Sequence, residues 1–299
     1  MLGLIHFLMT LALQGGGTEE PTDRIVPPGW QGNPWGPTAH AAREAGELPA
    51  IEMTPELEKW ADWGRDNLQD GDILFRQGDA RLLWGYYPFS RLLANITGSI
   101  FSHVGTAVIE DGELVVYDTT KAGVRRQPFH VWTMDNVGDF AVKRLKPEYQ
   151  QYVPGVVEYL HRVYEEQVPF DYNLRIGDEE LYCVEMTEKA FRSQNLELSR
   201  PVPIMELERF DEFPLNVYWL LTLSKWLLDE PLDLDQAIYL PGNESHGIWA
   251  SPLLETVTPP PGPDFEASRM RLVDDEGEAE TQDTKRAQIP SSESEKPGT

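Results

Sequence analysis

The chain contains three side chains whose types suit nucleophilic catalysis: a cysteine, a histidine and an aspartate. Cys183 is the sole cysteine among 299 residues, which excludes a disulfide within the chain and a zinc site built from several cysteines. A lone cysteine is by default a small buried hydrophobe. It can act as a nucleophile where an imidazole takes its proton and a carboxylate orients that imidazole. The sequence offers His103 and Asp118 for these two tasks.

The pairing of His103 with Asp118 follows from a predicted β-hairpin. Two β-rich runs flank Asp111-Gly112, and such a dipeptide is the strongest short-range hairpin signal. With a two-residue loop, alternation puts His103 and Asp118 on one face of the sheet. His103 then faces Thr120 directly, and Asp118 lies on the diagonal, about 7–8 Å away between Cα atoms. Asp118 is the expected orienter of the imidazole, and Thr120 is the alternative.

Cys183 lies where a helix is expected to begin, after the loop that ends at Gly177-Asp178. Unpaired N–H groups and the positive end of the dipole at a helix N-terminus lower the pKa of a thiol. The backbone N–H of Cys183 is also the candidate donor to an oxyanion, although the sequence does not identify a second donor. The alternative is a core cysteine that packs beside Val184 and Phe191.

The elements that would carry these residues mix strands and helices. A helix is predicted after Thr54-Pro55, because Thr is a good N-cap and Pro suits the first helical position. Strands are predicted over 73–75, 104–109, 114–119, 140–145 and 236–240, and further helices over 153–166 and 182–193. Strands clustered in the middle of the chain with helices around them indicate an α+β fold rather than a doubly wound sheet.

The two ends of the chain differ in composition from this middle part. Residues 1–14 contain a short apolar run that fits a signal peptide or, alternatively, a frayed start. Both export to the periplasm or cell envelope and a cytoplasmic location therefore stay open. Residues 15–50 are rich in Gly and Pro and are predicted to be a linker, in which Trp30 and Trp35 could dock on the domain. The predicted domain covers 51–258, and 259–299 is predicted to be a disordered acidic tail.

Charge and hydropathy exclude several classes of partner. The net charge of −25 argues against nucleic acid, since phosphate binding needs clustered Lys and Arg. No apolar run reaches the roughly 20 residues of a spanning helix. The histidines have no metal-like spacing to one another or to Cys183, so we expect no metal and no cofactor. Val217–Leu228 is either a core helix or an apolar surface for an acyl chain or a membrane.

Four short motifs, in their order along the chain, resemble the NlpC-type papain-like hydrolases, and more narrowly their circularly permuted YiiX/YebB-like branch. They are Gly71-Asp72-Ile73-Leu74, Phe101-Ser102-His103-Val104-Gly105, Val116-Tyr117-Asp118 and Tyr182-Cys183-Val184-Glu185-Met186. In that branch the histidine strand precedes the cysteine helix, as it does here. The resemblance covers about residues 70–257. It implies a permuted papain-like fold in which a small antiparallel sheet or barrel packs against helices, with the nucleophile at a helix N-terminus.

The resemblance also implies a role for each site residue. The nucleophile falls on Cys183, the base on His103 and the orienting acid on Asp118, where the family usually has Glu. Glu185 is implied to be structural.

Three functions fit these observations. The first is a thiol hydrolase that cleaves an amide bond, for example in a cell-wall peptide, through an acyl-enzyme on Cys183. The second is a lipid-directed thiol esterase or acyltransferase of the lecithin–retinol acyltransferase-like kind. The third is a non-catalytic binding module of the same fold. The expected partner of either enzyme is a peptide or a lipid-linked acyl substrate, and the oligomeric state is left open.

Overall fold

The computed structural model describes residue 22 and residues 25–27, 29–78, 89–136, 138–212 and 233–257. Six strands form one antiparallel sheet in the order β4-β3-β2-β1-β5-β8. The strands of this sheet are β1 (Ile73–Arg76), β2 (His103–Glu110), β3 (Glu113–Thr120), β4 (Gly123–Pro128), β5 (Phe140–Leu145) and β8 (Leu254–Thr256). A separate antiparallel pair consists of β6 (Val202–Pro203) and β7 (Ala237–Ile238).

Helices pack around this sheet, and the combination is the α+β architecture that the sequence predicts. They are α1 (Pro37–Glu44), α2 (Pro55–Asn67), α3 (Phe89–Thr97), α4 (Phe129–Trp132), α5 (Val153–Glu165) and α6 (Cys183–Arg192). A 3-10 turn, Thr133–Asp135, follows α4 directly. Within the described residues, no helix combines the length and apolar character needed to cross a membrane.

The β2–β3 hairpin has the register predicted from the sequence. Glu110 pairs with Glu113, and the pairing continues in step as far as Thr106 opposite Tyr117. Asp111 and Gly112 have positive φ angles of 51° and 86°. Positive φ at both loop positions is typical of the type I′ turn, whose twist matches that of the flanking strands. The turn therefore fixes which side chains of β2 and β3 share a face.

Each face of the sheet carries its own apolar cluster. On one face, α5 and α6 pack on β2 and β3 through Val104, Val108, Tyr117, Leu160, Met186 and Phe191. On the other face, α2 and α4 pack through Leu74, Ala107, Val116, Trp60, Phe129 and Trp132. Asp118 has the same strand parity as Val116, so it points to the face covered by α4. Polar groups on that face are removed from water and must pair with one another.

Helix α2 begins as its sequence predicts. The hydroxyl of Thr54 accepts a hydrogen bond from the backbone N–H of Leu57 at 3.3 Å, and Pro55 occupies the first helical position. Gly64 lets the helix approach the sheet, because a Cβ there would lie 2.5 Å from the ring of Phe129. The α2 cap and this close approach together fix the helix against α4.

The described part of residues 15–50 differs from the predicted linker. Residues 37–44 form α1, and Trp35 is 3% exposed, with its Nε1 donating to the carbonyl oxygen of Thr22 at 2.9 Å. The backbone N–H of Arg126 on β4 donates to the carbonyl oxygen of Trp35 at 3.1 Å. A Gly- and Pro-rich composition does not reveal these contacts, because the partners are distant in sequence.

Several predictions from the sequence fall on other parts of the chain. The signal-peptide region 1–14, the apolar stretch Val217–Leu228 and the tail 259–299 lie outside the described residues. The predicted late strand over 236–240 is found as the two-residue β7. Strands β4, β6 and β8 and helices α1, α3 and α4 were not predicted. Of these, β4 and α4 contribute side chains to the site.

Candidate active site

His103 and Asp118 are in direct contact. The Nε2 atom of His103 lies 2.7 Å from Oδ2 of Asp118. Because the carboxylate accepts this hydrogen bond, Nε2 carries the proton and Nδ1 keeps the lone pair that a base needs. Thr120, the alternative orienter, has a hydroxyl that accepts a hydrogen bond from the backbone N–H of Ala122 at 3.4 Å.

Gly105 makes room for this contact on the surface of the sheet. A Cβ at position 105 would lie 2.6 Å from Cγ1 of Val116 and 3.4 Å from Cβ of Asp118. The first distance is shorter than any ordinary contact between carbon atoms. The absence of a side chain at Gly105 therefore lets the Asp118 carboxylate lie along β2 toward His103.

Asp118 is held by two further side chains, Arg125 and Trp132. Arg125 lies opposite it in the β3–β4 ladder and donates from Nε to Oδ1 at 2.8 Å and from Nη2 to Oδ2 at 2.6 Å. The Nε1 of Trp132 donates to Oδ2 at 2.8 Å. Burial alone would raise the pKa of Asp118, but the charge and hydrogen bonds of Arg125 and the hydrogen bond from His103 hold that pKa well below its usual range.

A second buried arginine and a second buried aspartate adjoin this pair. Arg76 on β1 lies 3.3 Å from Oδ2 of Asp135 and 3.9 Å from Oδ2 of Asp118. Its guanidinium stacks 4.5 Å from the ring centre of Trp132 and donates to the carbonyl oxygen of that residue at 3.1 Å. Arg125 is 3.6 Å from Asp135. We call these four charged residues, Arg76, Asp118, Arg125 and Asp135, the charge cluster; their formal charges balance.

The other members of this arrangement were not predicted from the sequence; they are Arg76, Arg125, Asp135 and Trp132. A local signal existed for Arg125 alone. A second hairpin with Lys121-Ala122 as its loop pairs Thr120 with Gly123 and so places Arg125 opposite Asp118. The remaining three come from different elements, and no local spacing relates them to His103.

Cys183 is the first residue of α6, as the sequence predicts, and it is partly exposed. The backbone N–H groups of Val104 and Val184 act on its sulfur in the direction that lowers the pKa. Val104 directly follows His103 on β2. The structure therefore brings the thiol to the start of the strand that carries the histidine.

The pKa of Cys183 is raised, which is opposite to the lowering expected from a helix N-terminus. Burial raises it to about 11, the Asp118 charge adds to the increase, and the N–H groups of Val104 and Val184 act against it. Burial, and then the positive charge of Arg76, lower the pKa of His103 to about 4. At neutral pH the two groups are a neutral thiol and a neutral imidazole, so the proton must move when the sulfur attacks.

The start of α6 leaves a backbone donor beside the thiol. The first hydrogen bond of the helix runs from the N–H of Met186 to the carbonyl oxygen of Tyr182 at 2.9 Å. The N–H of Cys183 therefore precedes the helical ladder, where N–H groups have no partner within the helix. It remains the candidate oxyanion donor.

A comparison with known families identifies the region that holds this geometry. Residues 67–213 match the model of a family described as permuted papain-like amidase enzyme, YaeF/YiiX, C92 family. This region belongs to the permuted papain-like amidases. The family-level resemblance, the permuted papain-like α+β fold and the assignment to cysteine amidases or peptidases are thereby confirmed.

A solved structure shares the fold of this chain. The crystal structure of the metalloprotein YiiX from Escherichia coli O157:H7 matches with a TM-score of 0.52 and 21% sequence identity. The match covers 64% of this chain and 98% of that chain. At this level of identity the likeness concerns the fold alone. The comparison with curated proteins found no match.

The metal of YiiX has no counterpart site in the described residues of this chain. Among them, no group of three or more His, Cys, Asp and Glu side chains is arranged to hold a metal ion. Such a site needs several converging donors. We therefore derive no step that passes through a metal.

A buried carboxyl group on α6 holds the loop before Cys183. Oε1 of Glu185 accepts a hydrogen bond from the backbone N–H of Gly177 at 2.9 Å and lies 3.1 Å from Nζ of Lys189. Burial raises the pKa of Glu185 to about 7. These contacts tie the loop to the helix, which is the structural role that the sequence resemblance implies for Glu185.

Proposed function

We propose that the chain hydrolyses an amide bond through an acyl-enzyme on Cys183, with His103 as the general base and Asp118 as its orienter. The observation that carries the proposal is the 2.7 Å contact between His103 and Asp118, on the two strands against which the helix that begins at Cys183 packs. A nucleophile, a base and an orienter in this order form the arrangement of acyl transfer.

Acylation begins when Nδ1 of His103 takes the thiol proton as the sulfur attacks the carbonyl carbon. The oxyanion that forms accepts a hydrogen bond from the N–H of Cys183. The imidazolium then gives its proton to the amine as the C–N bond breaks. In deacylation, His103 removes a proton from water, the hydroxide attacks the thioester, and the imidazolium returns the proton to the leaving sulfur. The carboxylic acid product departs and the thiol is restored.

The thiol of Cys183 and the imidazole of His103 are both neutral before substrate binds, and this determines how acylation proceeds. A thiol with a pKa of about 11 and an imidazole with a pKa of about 4 do not form an ion pair before substrate binds. Proton transfer and attack are therefore coupled, as in hydrolases whose nucleophile is a serine. Asp118 contributes by holding the base in one tautomer and by facing the positive charge that His103 gains in the transition state.

We propose peptides, including cell-wall peptides, as the substrates, because the family is one of amidases. The net charge of −25 favours neutral or cationic peptides over anionic polymers. A lipid-directed esterase is the competing outcome, and one substrate panel separates the two.

The proposal is tested by offering the full chain two kinds of substrate. The first is a set of aminomethylcoumarin amides of N-acetylated amino acids and short peptides, and the second is a set of p-nitrophenyl esters of fatty acids. We expect amide turnover and an acyl adduct on Cys183 by mass spectrometry. Both should be lost in Cys183→Ala and His103→Ala. The matched control is His161→Ala, since His161 is exposed and hydrogen-bonds Glu110 on another part of the surface.

Two outcomes would contradict the proposal. Turnover of long-chain esters with no amide turnover would assign the site to the lipid-directed class. No turnover and no adduct with either set would leave a binding module of the same fold.

A further inference from the structure

We propose that Asp135 and Thr22 are positioning residues of the same site, so that the N-terminal segment carrying Thr22 belongs to the catalytic architecture. The inference rests on the proposed function only in taking His103 as the base. Neither residue contacts the imidazole. They act through Arg76 and Arg125, which surround the Asp118 carboxylate.

Thr22 donates two hydrogen bonds to the carboxylate of Asp135. Its backbone N–H donates to Oδ1 at 3.1 Å and its hydroxyl donates to Oδ2 at 2.7 Å. The Thr22 hydroxyl in turn accepts from Nε2 of Gln127 at 3.0 Å, and the Thr22 carbonyl accepts from Nε1 of Trp35 at 2.9 Å. Thr22 is fully buried and Asp135 is 1% exposed. Both oxygens of a buried carboxylate are thus fixed by the N-terminal segment.

Asp135 matters for His103 because of the charge balance of the cluster. Two guanidiniums with no exposed surface require two carboxylates, since an uncompensated buried charge is costly. Without Asp135, Arg76 and Arg125 would lose one of the two carboxylates of the charge cluster. The Oδ2 atom of Asp118 already accepts hydrogen bonds from His103, Arg125 and Trp132. A second guanidinium drawn onto that oxygen would displace the imidazole from it.

Among the described residues, charged and titratable groups from several elements lie around His103. They are Arg76 on β1, Asp118 on β3, Arg125 on β4, Cys183 on α6 and, behind the arginines, Asp135 on the 3-10 turn. Thr22, which hydrogen-bonds to Asp135, lies outside residues 67–213, the region that matches the amidase family. The family-matched region therefore contains the triad candidates but not the contact that fixes Asp135.

The test follows the hydrogen bond between His103 and Asp118 by NMR in the full-length chain. The His103 Nε2–H proton should give a low-field signal, assigned by its loss in His103→Gln. We expect this proton to exchange with water about tenfold faster in Asp135→Asn, and faster than wild type in Thr22→Val. Thr22→Ser, which keeps the hydroxyl, should restore the wild-type rate.

A matched control separates positioning from general loss of stability. Thr133→Val removes a hydroxyl of the same 3-10 turn that donates to the carbonyl oxygen of His130, outside the charge cluster. It should lower the melting temperature and leave the His103 signal unchanged. Folded Asp135→Asn and Thr22→Val proteins with wild-type exchange would overturn the inference. If Asp135→Asn does not fold, Thr22→Val decides, because it changes only one hydroxyl to a methyl group.

This readout needs no substrate. A protein that turns over no amide would defeat the proposed function, and the exchange measurement would still decide whether Asp135 and Thr22 position His103.

Discussion

Arg125 lies directly opposite Asp118 in the β3–β4 ladder and donates to both oxygens of its carboxylate. The acid that faces His103 is therefore also half of a buried ion pair. Because Arg125 neutralises much of its charge, Asp118 orients the imidazole more than it makes the imidazole basic. Burial and then the charge of Arg76 outweigh the carboxylate, with a smaller contribution from Arg125, so the pKa of His103 is only about 4.

We expect Asp118→Asn to lower amide turnover by about 10²- to 10⁴-fold without abolishing it, because the base loses its fixed tautomer while the thiol and backbone donor remain. Steady-state turnover of the coumarin amides measures the effect, and the melting temperature establishes that the variant is folded. A folded Asp118→Asn protein with normal turnover would assign the orienting role to Thr120 or to a backbone carbonyl.

We expect Arg125→Met to lower the free energy of unfolding by about 3–5 kcal/mol, because it leaves a buried carboxylate without its main partner. Urea unfolding measures the loss. The control is Arg65→Met, since Arg65 and its partner Asp62 are each 65% exposed and such a pair contributes about 1 kcal/mol or less. Equal effects of the two substitutions would show that the buried pair contributes no more than the surface one.

We expect Arg76→Met to raise the pKa of His103 from about 4 toward the ordinary value of 6.5. After burial, the charge of Arg76 is the largest cause of the lowering, and its removal favours the imidazolium. Titration of the His103 ring by NMR from about pH 2.5 to about pH 8 follows the shift, because this range brackets both midpoints. Arg144→Met is the control, because Arg144 pairs with Asp72 instead. An unchanged midpoint in folded Arg76→Met would attribute the low value to burial alone.

We expect the rate of Cys183 alkylation by iodoacetamide to rise with pH around a midpoint near 11, above the ordinary thiol value of 9. The thiolate is the reacting species, and burial keeps the thiol protonated until the pH is well above neutral. Since the chain has one cysteine, the total alkylation rate reports this site alone. A midpoint at or below 9 in the folded protein would instead indicate the stabilised thiolate that a helix N-terminus favours.

We expect Gly105→Ala to weaken the contact between His103 and Asp118 and to reduce turnover. The added Cβ would meet Cγ1 of Val116 at 2.6 Å, so β3 must shift where it carries Asp118. Gly177→Ala is a matched control, because the nearest atom to a Cβ there, apart from its chain neighbours, is the carbonyl oxygen of Arg175 at 3.9 Å. Turnover that falls equally in both variants would remove the special role of Gly105.

The sequence correctly predicts those contacts of the site that a turn motif or strand alternation specifies. The Asp111-Gly112 turn and the alternation of β2 and β3 determine which residues share a face, and the prediction that His103 meets Asp118 follows from them. The position of Cys183 at the first residue of α6 has a local signal as well, in the loop that ends before it.

The site residues Arg76, Asp135 and Trp132 were not predicted, because they depend on pairings that local sequence does not encode. Arginine is rarely buried unless it is paired, so a polar strand such as β4 gives no sign that Arg125 is fully buried. The thiol pKa was predicted in the wrong direction for a related reason. The helix N-terminus is visible in the sequence, whereas the burial that outweighs it depends on the packing of α6 against β2 and β3.

The contact between Thr22 and Asp135 joins positions 113 residues apart along the chain. Bringing such distant positions together costs loop-closure entropy, and segments at the edge of a fold open at lower free energy than its central strands. The contact between Thr22 and Asp135 can therefore be lost while the sheet stays intact. Loss of this contact would leave Cys183, His103 and Asp118 in a folded domain. In that domain, Asp135 of the charge cluster would lack its two hydrogen bonds from Thr22. Catalytic competence and global folding would then be separate transitions, with the first occurring under milder conditions than the second.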